Sequence, residues 1–381
     1  MGTPHLTLLI KPASSLCNLR CRYCFYHSLA ENRNLGSYGI MNPETAKTLI
    51  EKAADAASES ISFAFQGGEP SLAGPEYFEY FVNCANETVS KSKKKLRVRY
   101  SIQTNGINMT ESFAKFLKAN DFLVGLSLDG TKEINDFLRV DPGGKGTYAG
   151  ITKTAKLLDG LKVDYNILTV ITAQAARHIE KIYNHFKSRG YLYLQFIPCL
   201  EPLGVSSFRE IYSLTPELYE KFLITLFELW YNDFIKGSYT SIRFFDNLVR
   251  IAAGKQAEQC GTHGFCAGQF VIEADGSVFP CDFYCVDNWK TGNISDMSFD
   301  ELYNSPNMRK FSETSLYKKY SAAEREKCDS CEVYYLCRGG CRRDRDNRMD
   351  GAAKNNVYCG ALFNFYRYAG PYLKDILKKM K

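Results

Sequence analysis

The chain has 381 residues, 45% of them hydrophobic and 14% aromatic, enough for one large core or two ordinary ones and too much for a disordered or fibrous protein. Its 48 basic and 42 acidic side chains leave a net charge of +6, too mild to argue for nucleic acid, and the run Lys91-Ser92-Lys93-Lys94-Lys95 reads as a solvated helix end. No segment has the apolar length of a membrane span, the start Met1-Gly2-Thr3-Pro4-His5 carries no basic leader, and Leu6 to Ile10 is too short for a signal core, so the expectation is a cytoplasmic protein that meets neither membrane nor nucleic acid.

Leu6 to Lys11 is a short apolar run ending at Pro12, a predicted first strand with a cysteine loop at its C-terminal end. That loop is Cys17-Asn18-Leu19-Arg20-Cys21-Arg22-Tyr23-Cys24-Phe25-Tyr26, a C-x3-C-x2-C run. Three thiolates hold three irons of a cubane and leave the fourth open, whereas electron-transfer clusters take four cysteines. Zinc is the competing reading, but zinc sites favour C-x2-4-C pairs with a second pair or histidines downstream.

Asn42-Pro43-Glu44 marks a helix start, running to about Ala57, and Ile61 to Gln66 reads as a buried strand breaking into Gly67-Gly68-Glu69-Pro70. Helix and strand then alternate: a helix over 75–90, a strand over 96–103, a helix over 111–119 and a strand over 122–127. A loop containing Arg139 follows, then a helix over 148–158, a strand over 163–170, a helix over 175–188 and a strand over 193–197. Such alternation predicts a parallel sheet with right-handed crossovers. After Pro198 it stops: Leu214-Thr215-Pro216-Glu217 opens a long helix towards Phe234, and a second covers about Ile242 to Ala253. Phe270 to Phe279 with Asp275-Gly276 at its centre predicts a hairpin, and the last twenty residues a solvated closing helix.

Fourteen cysteines in a chain read as unexported point to metal ligands rather than disulfides. Cys328-x2-Cys331-x5-Cys337-x3-Cys341 is followed by Cys359 and preceded by Cys260-x5-Cys266 and Cys281, eight in all and enough for two four-iron clusters, with paired zinc sites as the alternative. Cys84, Cys199 and Cys285 are left over, by default buried small apolar residues, with Cys285 the exception to watch because it lies four residues from Cys281.

The triad, with an aromatic before its third cysteine, resembles the radical S-adenosylmethionine (AdoMet) enzymes. The resemblance implies that the open iron chelates AdoMet, whose one-electron cleavage gives a deoxyadenosyl radical. It also implies an α/β fold, a partial (β/α)6 TIM-like barrel over about 1–235, followed over 236–381 by a cysteine-rich domain with two auxiliary [4Fe-4S] clusters. The later cysteines resemble that SPASM-type extension, which implies Cys260, Cys266, Cys281 and Cys341 on one cluster and Cys328, Cys331, Cys337 and Cys359 on the other, beside the AdoMet cluster on Cys17, Cys21 and Cys24. By the same matching Tyr23, Gln66, Gly68, Glu69, Ser127, Arg139 and Leu200 look like cofactor contacts. The usual glycine-rich adenine motif is not evident in Val170-Ile171-Thr172-Ala173.

Ile10-Lys11-Pro12-Ala13-Ser14-Ser15, Cys24-Phe25-Tyr26-His27, the stretch from Ser62 to Pro70, Gln103-Thr104-Asn105-Gly106 and Cys281-Asp282-Phe283-Tyr284 together resemble anaerobic sulfatase-maturating enzymes. This implies oxidation of a sulfatase serine or cysteine, in a (Ser/Cys)-x-Pro-x-Arg motif, to Cα-formylglycine. Asp282 is then the general base, Tyr26 and Gln103 position the peptide, and a flavodoxin or ferredoxin supplies electrons. Without the resemblance, Asp282 reads as a turn former or an acceptor for the ligand loop. The competing functions are a maturase that crosslinks a ribosomal peptide, disfavoured by the sixteen residues before Cys17, and a non-catalytic iron-sulfur electron carrier, which has no use for an open triad.

Overall fold

The computed structural model describes residues 3–203, 205, 208–315, 327–345 and 356–380. The chain forms two compact units, the first made of Met1–Leu128, Arg139–Asn166 and Gly268–Phe311, the second of Asp129–Leu138, Ile167–Ala267 and Ser312–Lys381. The strands, in chain order, are β1 (Thr3–Ile10), β2 (Ala57–Phe65), β3 (Arg97–Thr104), β4 (Leu123–Ser127), β5 (Tyr165–Ile171), β6 (Tyr193–Pro198), β7 (Ser241–Ile242), β8 (Phe270–Ile272), β9 (Ser277–Phe279) and β10 (Gly292–Asn293).

In the first unit β1, β2, β3 and β4 are parallel neighbours, joined by helices that include Pro43–Ala56, Pro75–Lys91 and Glu111–Ala119. The first of these begins where its sequence demands: Asn42 Oδ1 accepts from the Thr45 N–H at 2.8 Å, and Pro43, with no N–H to satisfy, takes the first helical position. Strand periodicity sorts the faces. Ile61, Phe63 and Phe65 of β2 are buried, with Phe63 edge-on to Phe81 at 5.0 Å and Phe65 edge-on to Phe78 at 5.1 Å, rings of the helix Pro75–Lys91. Each such ring contributes about 1.5–3 kcal/mol by burial. Ser62 and Ala64 point to the other face, which carries small and polar side chains.

The hairpin of β8 and β9 forms, turned at Gly276 with φ 83°, and is not a separate module. β8 lies parallel to β1, pairing Leu8 with Phe270 and Ile10 with Ile272, so residues 268–311 belong to the first compact unit. The cause is non-local: the outer edge of β1 offers unpaired N–H and C=O groups, and the strand that satisfies them comes from the far end of the sequence.

In the second unit β5, β6 and β7 run parallel. The helix expected over 175–188 is two, Ala173–Arg177 and Ile179–Ser188, interrupted at His178. Lys132–Leu138 is helical where a loop was expected. The long helix Pro216–Ile235, capped by Thr215, supplies Phe227 to an aromatic core with Phe245 at 5.2 Å and Phe365 at 5.7 Å. Phe365 belongs to Cys359–Lys379, which buries Phe365, Tyr366, Ala369, Leu373 and Ile376; the closing helix is therefore a core element with one wet face. Among the described residues no helix is long and apolar enough to cross a membrane.

Candidate active site

Parallel register lines up one row of side chains at the C-terminal ends of five strands. Ile272, Ile10, Phe65, Ile102 and Val124 are paired in sequence across β8, β1, β2, β3 and β4. The next residue in each is Glu273, Lys11, Gln66, Gln103 and Gly125. Gly125 is required by its neighbour: a Cβ there would lie 2.0 Å from Gln103 Oε1, and Gln103 Nε2 donates to Ser127 Oγ at 3.0 Å. The C-terminal strand ends are where α/β barrels place chemistry.

The cysteine loop begins at Cys17, five residues beyond Pro12, and the second glycine after β2 makes room for its approach. Gly68, at φ 50°, would drive a Cβ to 2.3 Å from the Leu16 carbonyl oxygen, and the Glu69 N–H donates to that same oxygen at 2.8 Å. Glu69 is buried, and its carboxylate accepts from Thr104 Oγ1 at 2.7 Å, the Asn105 N–H at 2.7 Å and the Ser71 N–H at 3.1 Å. Burial raises its pKa, partly opposed by those donors. In this structure, then, Glu69 clamps the β3 end that carries Asn105, whose Nδ2 donates to Asn18 Oδ1 at 2.8 Å and faces Cys17 Sγ at 3.9 Å.

The three loop thiols are neighbours. Burial is the main cause that pushes Cys17 and Cys24 each up to about 11, a charge on Cys24 raises Cys17, and one on Cys21 raises Cys24. Arg139 acts the other way on both, and its Nη2 donates to Tyr23 Oη at 2.7 Å. Thiols that resist ionisation alone, gathered where one cation already stands, form a donor set that a cationic iron centre would complete.

Asp282 lies three residues past the end of β9 and is buried. Its Oδ2 accepts from Tyr26 Oη at 2.6 Å and from Gln66 Nε2 at 3.0 Å, and its Oδ1 is 3.0 Å from Lys11 Nζ. Gln66 Nε2 also lies 3.0 Å from Tyr26 Oη. Its amide is thus engaged by the Asp282 group, whereas the resemblance placed Gln66 among cofactor contacts. Burial, then the Asp282 charge, puts the Tyr26 phenol well above its ordinary range, so Tyr26 serves as a donor. Behind this group Arg33 Nη2 pairs with Glu273 Oε1 at 2.8 Å, and Lys11 Nζ is 3.8 Å from the same oxygen. Lys11, Arg33 and Glu273 were not singled out from the sequence. The signal was a lysine ending an apolar strand immediately before Pro12, and its acidic partners lie more than two hundred residues away.

The second unit holds two further thiol sets. Cys328, Cys331, Cys337 and Cys359 interact mutually, burial pushing Cys337 up to about 12. Cys341 interacts with Cys266 and Cys260, the last pushed up to about 11 by burial. Arg338, Gly339 and Gly340, at φ 49°, 87° and 72°, reverse the chain between Cys337 and Cys341, so neighbouring cysteines face different sets. Among the described residues no three His, Cys, Asp or Glu side chains converge as around a single ion. Sets made of thiols alone are the ligands that cubane clusters take. The donor sets fit iron-sulfur clusters. Cys281 lies in the first unit, and Leu200 in the second. Cys285 is fully buried and pushed up to about 12 chiefly by burial, a packed thiol that faces the Cys281 carbonyl oxygen at 3.6 Å. Cys199 is likewise buried, and Cys84 is half-buried on the helix Pro75–Lys91.

A family model described as the Radical SAM superfamily matches residues 12–186, and one described as an iron-sulfur cluster-binding domain, SPASM, matches 265–332. The cysteine-type anaerobic sulfatase-maturating enzyme of Clostridium perfringens is 46% identical over 378 residues, covering 99% of this chain and 100% of its own. The serine-type enzyme of Bacteroides thetaiotaomicron is 26% identical over 390 residues, 98% of this chain and 91% of its own. A solved structure of native anSMEcpe with bound AdoMet and Cp18Cys peptide superimposes with a TM-score of 0.92 at 45% identity, over 99% of this chain and 100% of that one.

Proposed function

This chain belongs to the anaerobic sulfatase-maturating enzymes, and from that premise we propose that it oxidises a serine or cysteine of a sulfatase, within (Ser/Cys)-x-Pro-x-Arg, to Cα-formylglycine without oxygen. Cysteine is the favoured target, because relatives at 46% and 45% identity carry the cysteine-type name while the serine-type relative stands at 26%. The observation that carries the reading is the buried Asp282 carboxylate, fixed by Tyr26, Gln66 and Lys11, with Tyr26 two residues past the third loop cysteine.

Cys17, Cys21 and Cys24 would hold the [4Fe-4S] cluster that binds AdoMet, and the second-unit thiols contribute to two auxiliary clusters. When bound, these groups supply a carbon radical that removes one hydrogen atom from the target Cβ and an acceptor for the second electron. Asp282 takes the proton of the target thiol or hydroxyl. Deprotonation makes the substrate radical a far stronger reductant, so the base must stand beside the abstracted hydrogen. The cysteine carbon, having lost a hydrogen atom, a proton from its sulfur and an electron, becomes a thioaldehyde, which water converts to the aldehyde with release of hydrogen sulfide. A serine gives the aldehyde directly.

The Arg139–Tyr23 pair, Gly68, Glu69, Ser127 and Leu200 are proposed to line the AdoMet site. Gln103, tied to Ser127, is proposed to help seat the peptide with Tyr26. We further infer a functional division near residue 235, a cytoplasmic setting and a flavodoxin or ferredoxin as donor.

The reading is tested with anaerobically reconstituted protein, reductant, AdoMet and a CxPxR peptide labelled with deuterium at the target Cβ. The expected result is a mass loss of about 18 Da for the unlabelled peptide, or about 2 Da for its serine counterpart, each one unit larger where a deuterium leaves, with label in deoxyadenosine; these values follow from the two-electron oxidation and the exchange of sulfur for oxygen. A cysteine peptide that loses 2 Da and keeps its sulfur in a ring identifies a thioether-forming maturase instead.

A further inference from the structure

Two oxygens of one carboxylate are held from different sides at Asp282. Tyr26 and Gln66 both donate to Oδ2, while the ammonium of Lys11 sits 3.0 Å from Oδ1. The terminal torsion of an aspartate is broad and two-fold, so donors on one oxygen leave the carboxylate plane able to turn about it. The partner on the other oxygen decides where the plane lies.

Lys11 is built to be that partner. Its stem occupies the space of the Cβ that Gly67 lacks: at φ 98°, a Cβ there would come within 2.7 Å of Lys11 Cγ and 2.8 Å of Cδ. The ammonium lies 4.6 Å from the Tyr26 ring centroid, in cation–π range, and 3.8 Å from Glu273, which Arg33 holds at 2.8 Å. Arg33 Nε in turn donates to the Cys285 carbonyl oxygen. The side chain of Lys11 is 1% exposed, and a buried lone ammonium would lose its proton. Here burial does lower the lysine pKa, but the acidic neighbours, Asp282 first, outweigh it and the net shift is upward. Lys11 therefore stays charged.

We propose that Lys11 is a positioning residue for the Asp282 carboxylate, fixing the plane in which it meets the substrate thiol or hydroxyl, and that Gly67 is glycine so that the Lys11 stem can pass. The inference rests on the reading of Asp282 as the base. It gives the first glycine of Gly67-Gly68-Glu69 a task separate from the cofactor: one glycine makes way for Lys11, the next for the cysteine loop.

The test uses the reconstituted holoenzyme with a CxPxR peptide, comparing Lys11→Met, Lys11→Arg, Asp282→Asn and the double variant Lys11→Met/Asp282→Asn. For Lys11→Met the expected results are wild-type iron content, a peptide KM within about threefold, a kcat for formylglycine down about a hundredfold, as misplacement of a reacting group brings, and at least a tenfold rise in deoxyadenosine formed per formylglycine. Lys11→Arg, which restores a cation on Oδ1, should recover at least tenfold of that loss. Adding Lys11→Met to Asp282→Asn should cost nothing further, since the lysine acts through the aspartate. If Lys11→Met loses iron or solubility, the same ratio is read on Lys11→Leu, which likewise leaves Oδ1 without a cation or donor. An unchanged ratio in either variant, or losses that multiply in the double variant, overturns the proposal. Full product formation by Asp282→Asn alone is a distinct result: it removes the base assignment itself.

Discussion

At the scale of single residues, the site divides into groups that a motif announces and groups that only register assembles. Cys17, Cys21 and Cys24 stand out by spacing, and the structure gathers them on one loop. Asp282 beside Cys281 was legible through resemblance alone, because an aspartate after a short strand is ordinarily a turn former. Lys11 was not legible: a lysine ending an apolar strand normally carries its charge to solvent, and its acidic neighbours become visible only once β8 is laid beside β1. Tyr26→Phe removes the 2.6 Å donor on Asp282 Oδ2 and keeps the ring under Lys11. A hydrogen bond to a charged group is worth roughly 1.5–3 kcal/mol, so product formation should fall about ten- to a hundredfold with iron content unchanged, as read by single-turnover assay. An undiminished rate would show that Gln66 and Lys11 suffice. Gly68→Ala meets the Leu16 carbonyl oxygen at 2.3 Å and should cost more than the roughly 1–2 kcal/mol of a left-handed backbone, seen as a lower urea midpoint and loss of the loop iron.

At the scale of elements, the strand and helix alternation of the first half was readable because each element carries its own period and its own stop. Asn42 with Pro43, and Thr215 with Pro216, fix helix starts through contacts three residues long. What local pattern could not supply was partnership. The hairpin over Phe270 to Phe279 was expected from its Asp275-Gly276 turn, yet its pairing with β1 was not, since parallel pairing between distant strands leaves no mark in either. The charged end of the closing helix points to a solvated element, yet Phe365, Leu373 and Ile376 form a buried stripe along it. The turn offers a test of the hairpin's task. Gly276 lies at φ 83°, and a Cβ there would come within 2.8 Å of Asn293 Oδ1 and 3.0 Å of Ile294 Cγ2. Gly276→Ala should destabilise the protein by about 1–2 kcal/mol and lower formylglycine yield more than AdoMet cleavage, because the hairpin delivers Glu273 and Asp282 but no cysteine of the loop. Equal losses of both would place its role in general folding.

At the scale of the molecule, the thiol sets tie cofactor content to stability. The segments 327–345 and 356–360 hold five thiols, four of them the set Cys328, Cys331, Cys337 and Cys359, on short elements apart from the helix that Cys359 begins. Metal binding there is folding free energy. Replacing Cys328, Cys331, Cys337 and Cys359 by alanine should remove about four irons and speed amide exchange in those segments while the exchange of β2 and β3 is unchanged; intact iron content would refute the assignment. The edge pairing of β1 has another consequence, one of timing. β1 is complete by Ile10, and its outer neighbour begins at Phe270, about 260 residues later. At roughly 5–20 residues per second of synthesis, that is about 13–50 s. For that interval the growing chain exposes an open strand edge and a lysine with neither Glu273 nor Asp282 to face. The cysteine loop leaves the ribosome early and Asp282 late. A ribosome-bound intermediate can thus acquire the loop long before the residues around Asp282 exist, and until then its β1 edge stays unpaired.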